Sequence, residues 1–407
     1  MLDLFKFVLI LGLTIWLLLR KWDLGLILLL DAVLVAVLFL YPPLELIRSM
    51  FKGLVAPATL GLAGAVFLVL LLAELLRHTR SMEKMVTSLQ MVIPDSRIVL
   101  ALIPALIGLM PMLGGAMFSA PMIDEIGTRL NVSPDRKTFV NYWFRHSMEY
   151  VFPLYSSLLM IAVLLQVSVY DFIGVSWPLS LAAILGGVIW GLRGIQNAKM
   201  TPPPGAKKSA AWRDLLDSIW PLLLVILAVV ILKFDMLISL AVVIMIVLIV
   251  HRIEPRQWPG ILKRSFPPRT FSAIFGVMIF KQVLEDAGAV QVIPPALSTL
   301  GLSPMLVAFA VPHIAGLLTG TAAAAMALSV PLVAPLLATR PIDHLAGGVW
   351  MFVGGFSGIM LSPLHLCLAL TREYFQASWR RIYLSLVPAV GLVVIAAIGI
   401  VIWRTVP

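Results

Sequence analysis

Asn141-Tyr-Trp-Phe-Arg-His-Ser-Met-Glu-Tyr-Val-Phe-Pro153-Leu-Tyr-Ser156 sets a histidine, a glutamate and a proline inside a largely apolar segment. Proline lacks an amide donor and its ring clashes with the preceding turn, so this segment reads as a helix broken near Pro153. The interruption returns 210 residues later, where Ser362-Pro363-Leu364 matches Phe152-Pro153-Leu154. Ser119-Ala-Pro121 recurs at the same offset as Ser329-Val-Pro331, and Pro104-x3-Gly108-Leu109 recurs at an offset of 208 as Pro312-x3-Gly316-Leu317. Further out, Asp3-Leu4 pairs with Asp214-Leu215 and Lys21-Trp22-Asp23 with Lys233-Phe234-Asp235. Each match is weak by itself, but their common order marks a duplicated unit.

Composition supplies the solvent. The chain has 407 residues, 61% hydrophobic and 12% charged, with a mean hydropathy of +1.03. Such a chain cannot be the surface of a soluble globule, which excludes a soluble enzyme and describes a polytopic integral membrane protein. The net charge of +10 lies mostly in loops between apolar segments, as cytoplasmic loops require, so it reads as topology and not as a nucleic-acid footprint. The single cysteine, Cys367, excludes an internal disulfide and a cluster of thiolates. Leu2–Leu19 is followed by Arg20 and Lys21 and shows no small-residue cleavage site, so it reads as a span and not as a signal peptide.

Each half carries three full-length apolar segments (about 2–19, 24–41 and 56–76, then 214–232, 236–251 and 270–284). A run broken by Pro104, Pro111 and Gly114-Gly115, or by Pro312, Gly316 and Gly320, follows at about 97–127 and 303–337. Its legs are too short for about 30 Å of hydrocarbon, so each run is expected to be a re-entrant hairpin. The broken helix and a last span (about 174–193 and 382–403) close each half. The expected fold is therefore all-α, two inverted repeats of five crossings and one hairpin each, a plan common among secondary transporters. The Lys and Arg divide more unequally between the two sides when the hairpins are re-entrant. That places both termini outside and the linker 194–213, with Pro202-Pro203-Pro204, in the cytoplasm of a plasma-membrane protein.

Two inverted halves, each ordering spans, hairpin, broken helix and span, resemble the ion transporter superfamily that includes the divalent-anion sodium symporters and gluconate permeases. More narrowly, Gly114-Gly-Ala-Met-Phe-Ser-Ala-Pro121, Asn141-Tyr-Trp-Phe-Arg-His146 and Glu149-Tyr-Val-Phe-Pro153 resemble an uncharacterised membrane family placed in that superfamily, of undefined substrate. The resemblance implies an elevator architecture and a homodimer. Its scaffold would be 1–95 and 214–302, and its transport domain 96–193 and 303–407. The Ser-Asn-Thr motifs with which the carboxylate symporters hold carboxylate and sodium are missing from both hairpins, so carboxylate specificity and sodium coupling do not carry over.

Hairpin tips and broken helices leave backbone groups unpaired at membrane depth, where they line a cavity or are buried in protein. Half-helix N-termini there favour an anionic solute. The candidate solute contacts are Gly114, Gly115, Ser119, Tyr155, Ser156 and Ser157 from the first half, with Thr319, Thr321, Ser329, Ser357 and Ser362 from the second. Alternatively these hydroxyls only satisfy nearby backbone. His146 and Glu149, three apart on one helix face before the break, and His365 just past the other break, are the candidate coupling groups for H+ or Na+. Proton coupling is favoured because these groups titrate and the sodium-associated motif is missing. No ligand spacing is diagnostic of a metal, and neither metal nor cofactor is expected. Arg145 is expected to snorkel to the surface, and Arg372 with Glu373 to set topology.

Gly355-Phe-Ser357-Gly358 has the Gly-x-Ser-Gly form of the rhomboid proteases, but His344 precedes the serine and His365 lacks the expected glycine pattern after it. His-Glu-x-x-His and a phosphate loop are absent. The expectation is thus a non-enzymatic symporter in contact with lipid and a small anionic solute, without nucleic acid. An intramembrane enzyme and a non-transporting scaffold are the alternatives.

Overall fold

The computed structural model describes residues 2–110, 115–197, 208–291, 303–338 and 342–405. The first half forms α1 (Leu2–Leu19), α2 (Leu24–Leu38), α3 (Pro43–Val55), α4 (Pro57–His78), α5 (Ser81–Val92), α6 (Ser96–Gly108), α7 (Ala116–Arg129), α8 (Pro134–His146), α9 (Ser156–Leu165) and α10 (Val169–Gly186), which continues as a π-helical stretch to Leu192. The second forms α11 (Lys208–Ile226), continued to Ile231, then α12 (Met236–Val250), α13 (Trp258–Arg264), α14 (Pro268–Asp286), α15 (Pro304–Thr319), α16 (Ala322–Ala338), α17 (His344–Leu361), α18 (Leu366–Phe375) and α19 (Trp379–Thr405). Gly114 and the Pro202-Pro203-Pro204 run lie outside the described residues.

Among the described residues, five helical stretches are long and apolar enough to cross a bilayer: Pro57–His78, Val169–Leu192, Lys208–Ile231, His344–Phe375 and Trp379–Thr405. Apolar side chains such as Ile249, Ile395 and Trp403 are exposed, a liability in water that hydrocarbon removes. The protein is an all-helical polytopic membrane protein.

Local chemistry explains where the helices begin and end. Asp23 accepts from the Gly25 amide at 3.0 Å and starts α2, and Asp235 accepts from the Ile238 amide at 3.0 Å and starts α12. The lysines two residues before these caps, Lys21 and Lys233, are both left-handed, with φ of 61° and 56°. The matching connectors of the sequence are thus matching turns. Two more pairs share this uncommon conformation: Leu40 with Arg252, and Gln166 with Gln376. The glutamines cap the C-termini of α9 and α18, each ten residues long.

Three helices are not expected from hydropathy: α3, α5 and the short α13 occupy stretches read as connectors, because their polar residues lower the average over a long window. In α3, Pro43 favours the first turn, Ser49 and Gly53 are buried, and Ser49 donates to Asp286 of α14 at 2.8 Å.

The packing is reciprocal. α2 lies on α14 and α4 on α12; α7 lies on α18 and α16 on α9; α8 touches α19 and α10 touches α17. Glycines set the closest crossing of the first pair: a Cβ on Gly276 would lie 2.8 Å from the Gly25 Cα, and one on Gly25 would overlap Ser272. α8 and most of α17 are buried, and their C-terminal ends lie inside the molecule.

Candidate functional site

Both buried helices stop short of their apolar segments' ends. α8 ends at His146, seven residues before Pro153, and turns lead from Ser147 to Tyr155 before α9 resumes. His146 and Glu149 therefore do not share a helix face as their spacing suggested; a turn, closed by the Glu149 amide on His146 O at 3.2 Å, brings them together. α17 runs on to Leu361, and only residues 362–365 separate it from α18. The carbonyls freed at each break find partners: Ser176 donates to Tyr150 O at 2.7 Å, and Tyr383 to Leu361 O at 2.7 Å.

The breaks meet. His146 Nε2 lies 3.1 Å from His365 Nε2 and 3.7 Å from Glu149 Oε1. His146 Nδ1 lies 2.7 Å from Tyr142 O, and His365 Nδ1 lies 2.6 Å from Gly320 O at the turn between α15 and α16. Cys367, in the first turn of α18, completes a group in which the ligand atoms of His146, His365 and Cys367 all lie within 4.8 Å of one another. His146, Glu149 and Cys367 are each less than a tenth exposed. Tyr142 tilts over both imidazoles, with ring centroids 4.8 and 5.5 Å away. Its hydroxyl donates to Met360 O at 3.3 Å, tying α8 to the end of α17.

The hairpins attach to the breaks from either side. Tyr155, the residue before α9, donates to Gly108 O at the end of α6. His365, the residue before α18, holds Gly320, which closes α15 in a left-handed conformation at φ 64°. Ser362 donates to Leu317 O at 2.7 Å. Legs of thirteen to seventeen residues make about 20–26 Å of helix, less than a bilayer's hydrocarbon.

The remaining candidates are dispersed. Ser119 and Ser329 are fully buried and donate to backbone carbonyls of their own helices, Ala116 O and Ala325 O. Thr319 does the same with Ala315 O at 2.8 Å. Ser156 is half-buried and Thr321 exposed at their helix starts, and Ser157 is buried. Ser357 donates to Gly354 O at 2.7 Å and lies 2.8 Å from His313 Nδ1; neither His344 nor His365 is its partner.

Arg145 requires a correction. It does not snorkel: it is 6% exposed, and its guanidinium fills the space beside Gly115, where a Cβ would come within 2.5–2.7 Å of the guanidinium atoms. The missing side chain at Gly115 makes room for the arginine at the start of α7. Two further residues escaped the sequence reading. Cys367 has no second thiol to join, and the signal the sequence carries for it is the His365-x-Cys367 spacing at a helix start. Asp31, buried in α2, accepts from Thr14 at 2.7 Å, and its isolation in an apolar span was visible in the sequence.

Fold and site define a polytopic helical membrane protein in which interrupted helices from the two halves of the chain converge on a buried polar cluster. The chain belongs to the family described as Protein of unknown function (DUF401), whose model matches residues 2–405. No curated protein matches it.

Proposed function

We propose that the protein is a secondary active transporter that moves a small anionic solute by alternating access, driven by a proton or sodium gradient. The observation that carries this reading is the meeting of two interrupted helices, one from each half, across the 3.1 Å contact between His146 and His365. Broken helices in a membrane demand that their polar ends be satisfied, and paired breaks are what alternating access uses. The matched left-handed residues and the reciprocal packing support two repeats of five crossings. In this reading α6–α7 and α15–α16 are the re-entrant hairpins. An elevator built on scaffold 1–95 and 214–302, a homodimer, outside termini and a cytoplasmic linker 194–213 complete it.

Arg145 beside the start of α7 supports the anion. A buried guanidinium packed on the positive end of a helix dipole makes the potential there positive, which favours an anion nearby. Gly115, Ser156 and Thr321 are the contacts at the tips, while Ser119, Ser329, Thr319 and Ser362 hold backbone. The enzymatic alternative turns on Ser357. It contacts Gly354 O at 2.7 Å and His313 Nδ1 at 2.8 Å, and neither histidine of the protease pattern, His344 or His365, is its partner, so the geometry lends that alternative no support.

The test is a thermal-stability screen of the purified protein against organic acids, sugar acids and inorganic anions, at two pH values and with or without sodium. A solute that binds the folded state raises its melting temperature, and Arg145→Gln is expected to abolish that shift. Silence across the panel, or shifts unchanged in Arg145→Gln, would remove the anion from the reading.

A further inference from the structure

A carbonyl oxygen only accepts, so the contacts to Tyr142 O at 2.7 Å and Gly320 O at 2.6 Å place a proton on Nδ1 of both His146 and His365. Each Nε2 then presents a lone pair, and the two lone pairs face one another at 3.1 Å. Two acceptors cannot bond to each other, so the contact calls for a positive centre between them. The thiol of Cys367 is part of the same group, within 4.8 Å of both imidazoles, and the carboxylate of Glu149 adjoins it, 3.7 Å from His146 Nε2.

We propose that His146, His365 and Cys367 bind a borderline transition-metal cation of the Zn2+ type, with Glu149 adjoining as fourth ligand. In a tetrahedral zinc site ligand nitrogens stand about 3.3 Å apart, and nitrogen and sulfur about 3.6 Å. The observed pair fits that edge, and the ligand atoms of the two histidines and Cys367, all within 4.8 Å of one another, would draw in around the ion. Histidines that ligate metals characteristically donate their other N–H to a backbone carbonyl or carboxylate, which fixes the ring and the tautomer; both histidines do so here. A thiol ligates as the thiolate, so loading releases the Cys367 proton to solvent. Two imidazoles and a thiolate favour a borderline ion over Mg2+ or Ca2+, which take oxygen ligands. The site draws on α8 of the first half and α18 of the second, so a bound ion would tether the two breaks. This reverses the expectation drawn from ligand spacing and does not depend on the transport reading.

The experiment uses the full chain in detergent, stripped with a chelator and titrated with Co2+ alone and Zn2+ alone. One equivalent of Co2+ per chain should give tetrahedral visible bands and a thiolate-to-cobalt charge-transfer band. Because Cys367 is the single cysteine, that band identifies its ligand without any substitution. Zn2+ should displace the cobalt and raise the melting temperature. Cys367→Ser should lose the charge-transfer band, and His365→Ala should weaken Zn2+ binding by about tenfold or more, while His313→Ala leaves both unchanged. No charge-transfer band at saturating Co2+ in the wild-type chain would overturn the proposal and leave a shared proton between the imidazoles. Stoichiometric binding unaffected by either ligand substitution would equally overturn it.

Discussion

The two breaks do the same structural task with different means. At the first, the helix is lost over residues 147–155; at the second, over residues 362–365 only. Serines at equivalent positions before each break, Ser147 and Ser357, donate three residues back to Phe144 O and Gly354 O, so the serine alone does not decide the length of unwinding. The neighbours decide it. In the second half Gly354, Gly355 and Gly358 let α15 approach so closely that a Cβ on Gly358 would overlap His313 O and one on Gly316 would overlap Gly355 O. α17 is thereby braced up to Pro363. In the first half Phe144, Arg145 and Met148 stand at those places; Gly108 still meets Arg145 O, but beyond His146 the chain lacks that brace and its carbonyls turn to Ser176 and other partners. The braced break carries a single titratable side chain, His365, and the open one carries His146 and Glu149.

This contrast can be broken at several points. The largest effect is expected from Gly316→Val, which drives a branched side chain into the backbone of α17. Overpacking of this kind costs about 3 kcal/mol or more, and denaturant unfolding in detergent should show it as a lowered midpoint. Gly115→Ala meets the movable end of Arg145 instead of backbone, so its loss should be smaller. If Gly115→Ala proves the worse of the two, the second break is not the braced one.

The hairpin ties should come next, at about 1 kcal/mol each. Tyr155→Phe leaves Gly108 O without its hydroxyl donor, and Ser362→Ala leaves Leu317 O without its own. Hydrogen exchange sharpens the comparison: Tyr155→Phe should speed exchange at the end of α6, and Ser362→Ala at the end of α15. Faster exchange at both hairpins in either variant would mean that the two ends open together.

The smallest effect concerns where the two buried helices start. α17 begins at Asp343, which accepts from the Ala346 amide at 2.9 Å and from Arg404 at 2.8 and 3.1 Å, whereas α8 begins at Ser133 without a side-chain cap. The Arg404 hydrogen bonds hold the Asp343 carboxyl below the usual carboxylate range. The stability this adds is full above the ordinary aspartate pKa and is lost as pH falls through the depressed folded value. Asp343→Asn should therefore cost no more than about 1 kcal/mol at neutral pH and flatten the acid limb of the stability profile. An unchanged acid limb would detach α19 from the bracing of α17.

Much of this architecture could be read beforehand because it is written in residues with one local meaning. Pro153 and Pro363 mark breaks, and Lys21-Trp22-Asp23 with its counterpart marks a turn and a cap. The extent of unwinding was not legible, since Pro153 explains the residues next to it and not the end of α8 at His146, which depends on packing from elsewhere. Arg145 misled for a related reason: snorkelling is the rule for an arginine on a helix facing lipid, and the burial of α8 from Lys137 to His146 shows that this helix faces protein. Cys367 joins His146 across 221 positions of chain, a proximity that no local spacing encodes.

The reciprocal packing has a consequence for synthesis. Asn141 donates to Thr371 at 3.3 Å and Tyr142 to Met360, so the first break waits for partners made more than 200 residues later. While the ribosome is still working, Asn141 can already donate to Ala116 O, 2.9 Å away in the finished protein, but the acceptors of the Tyr142 hydroxyl, Ile359 O and Met360 O, are not yet made. The first half therefore depends on the second for part of its buried polar pairing, and a chain truncated before α18 should be less stable than the full chain, because it lacks both Thr371 and the span Trp379–Thr405.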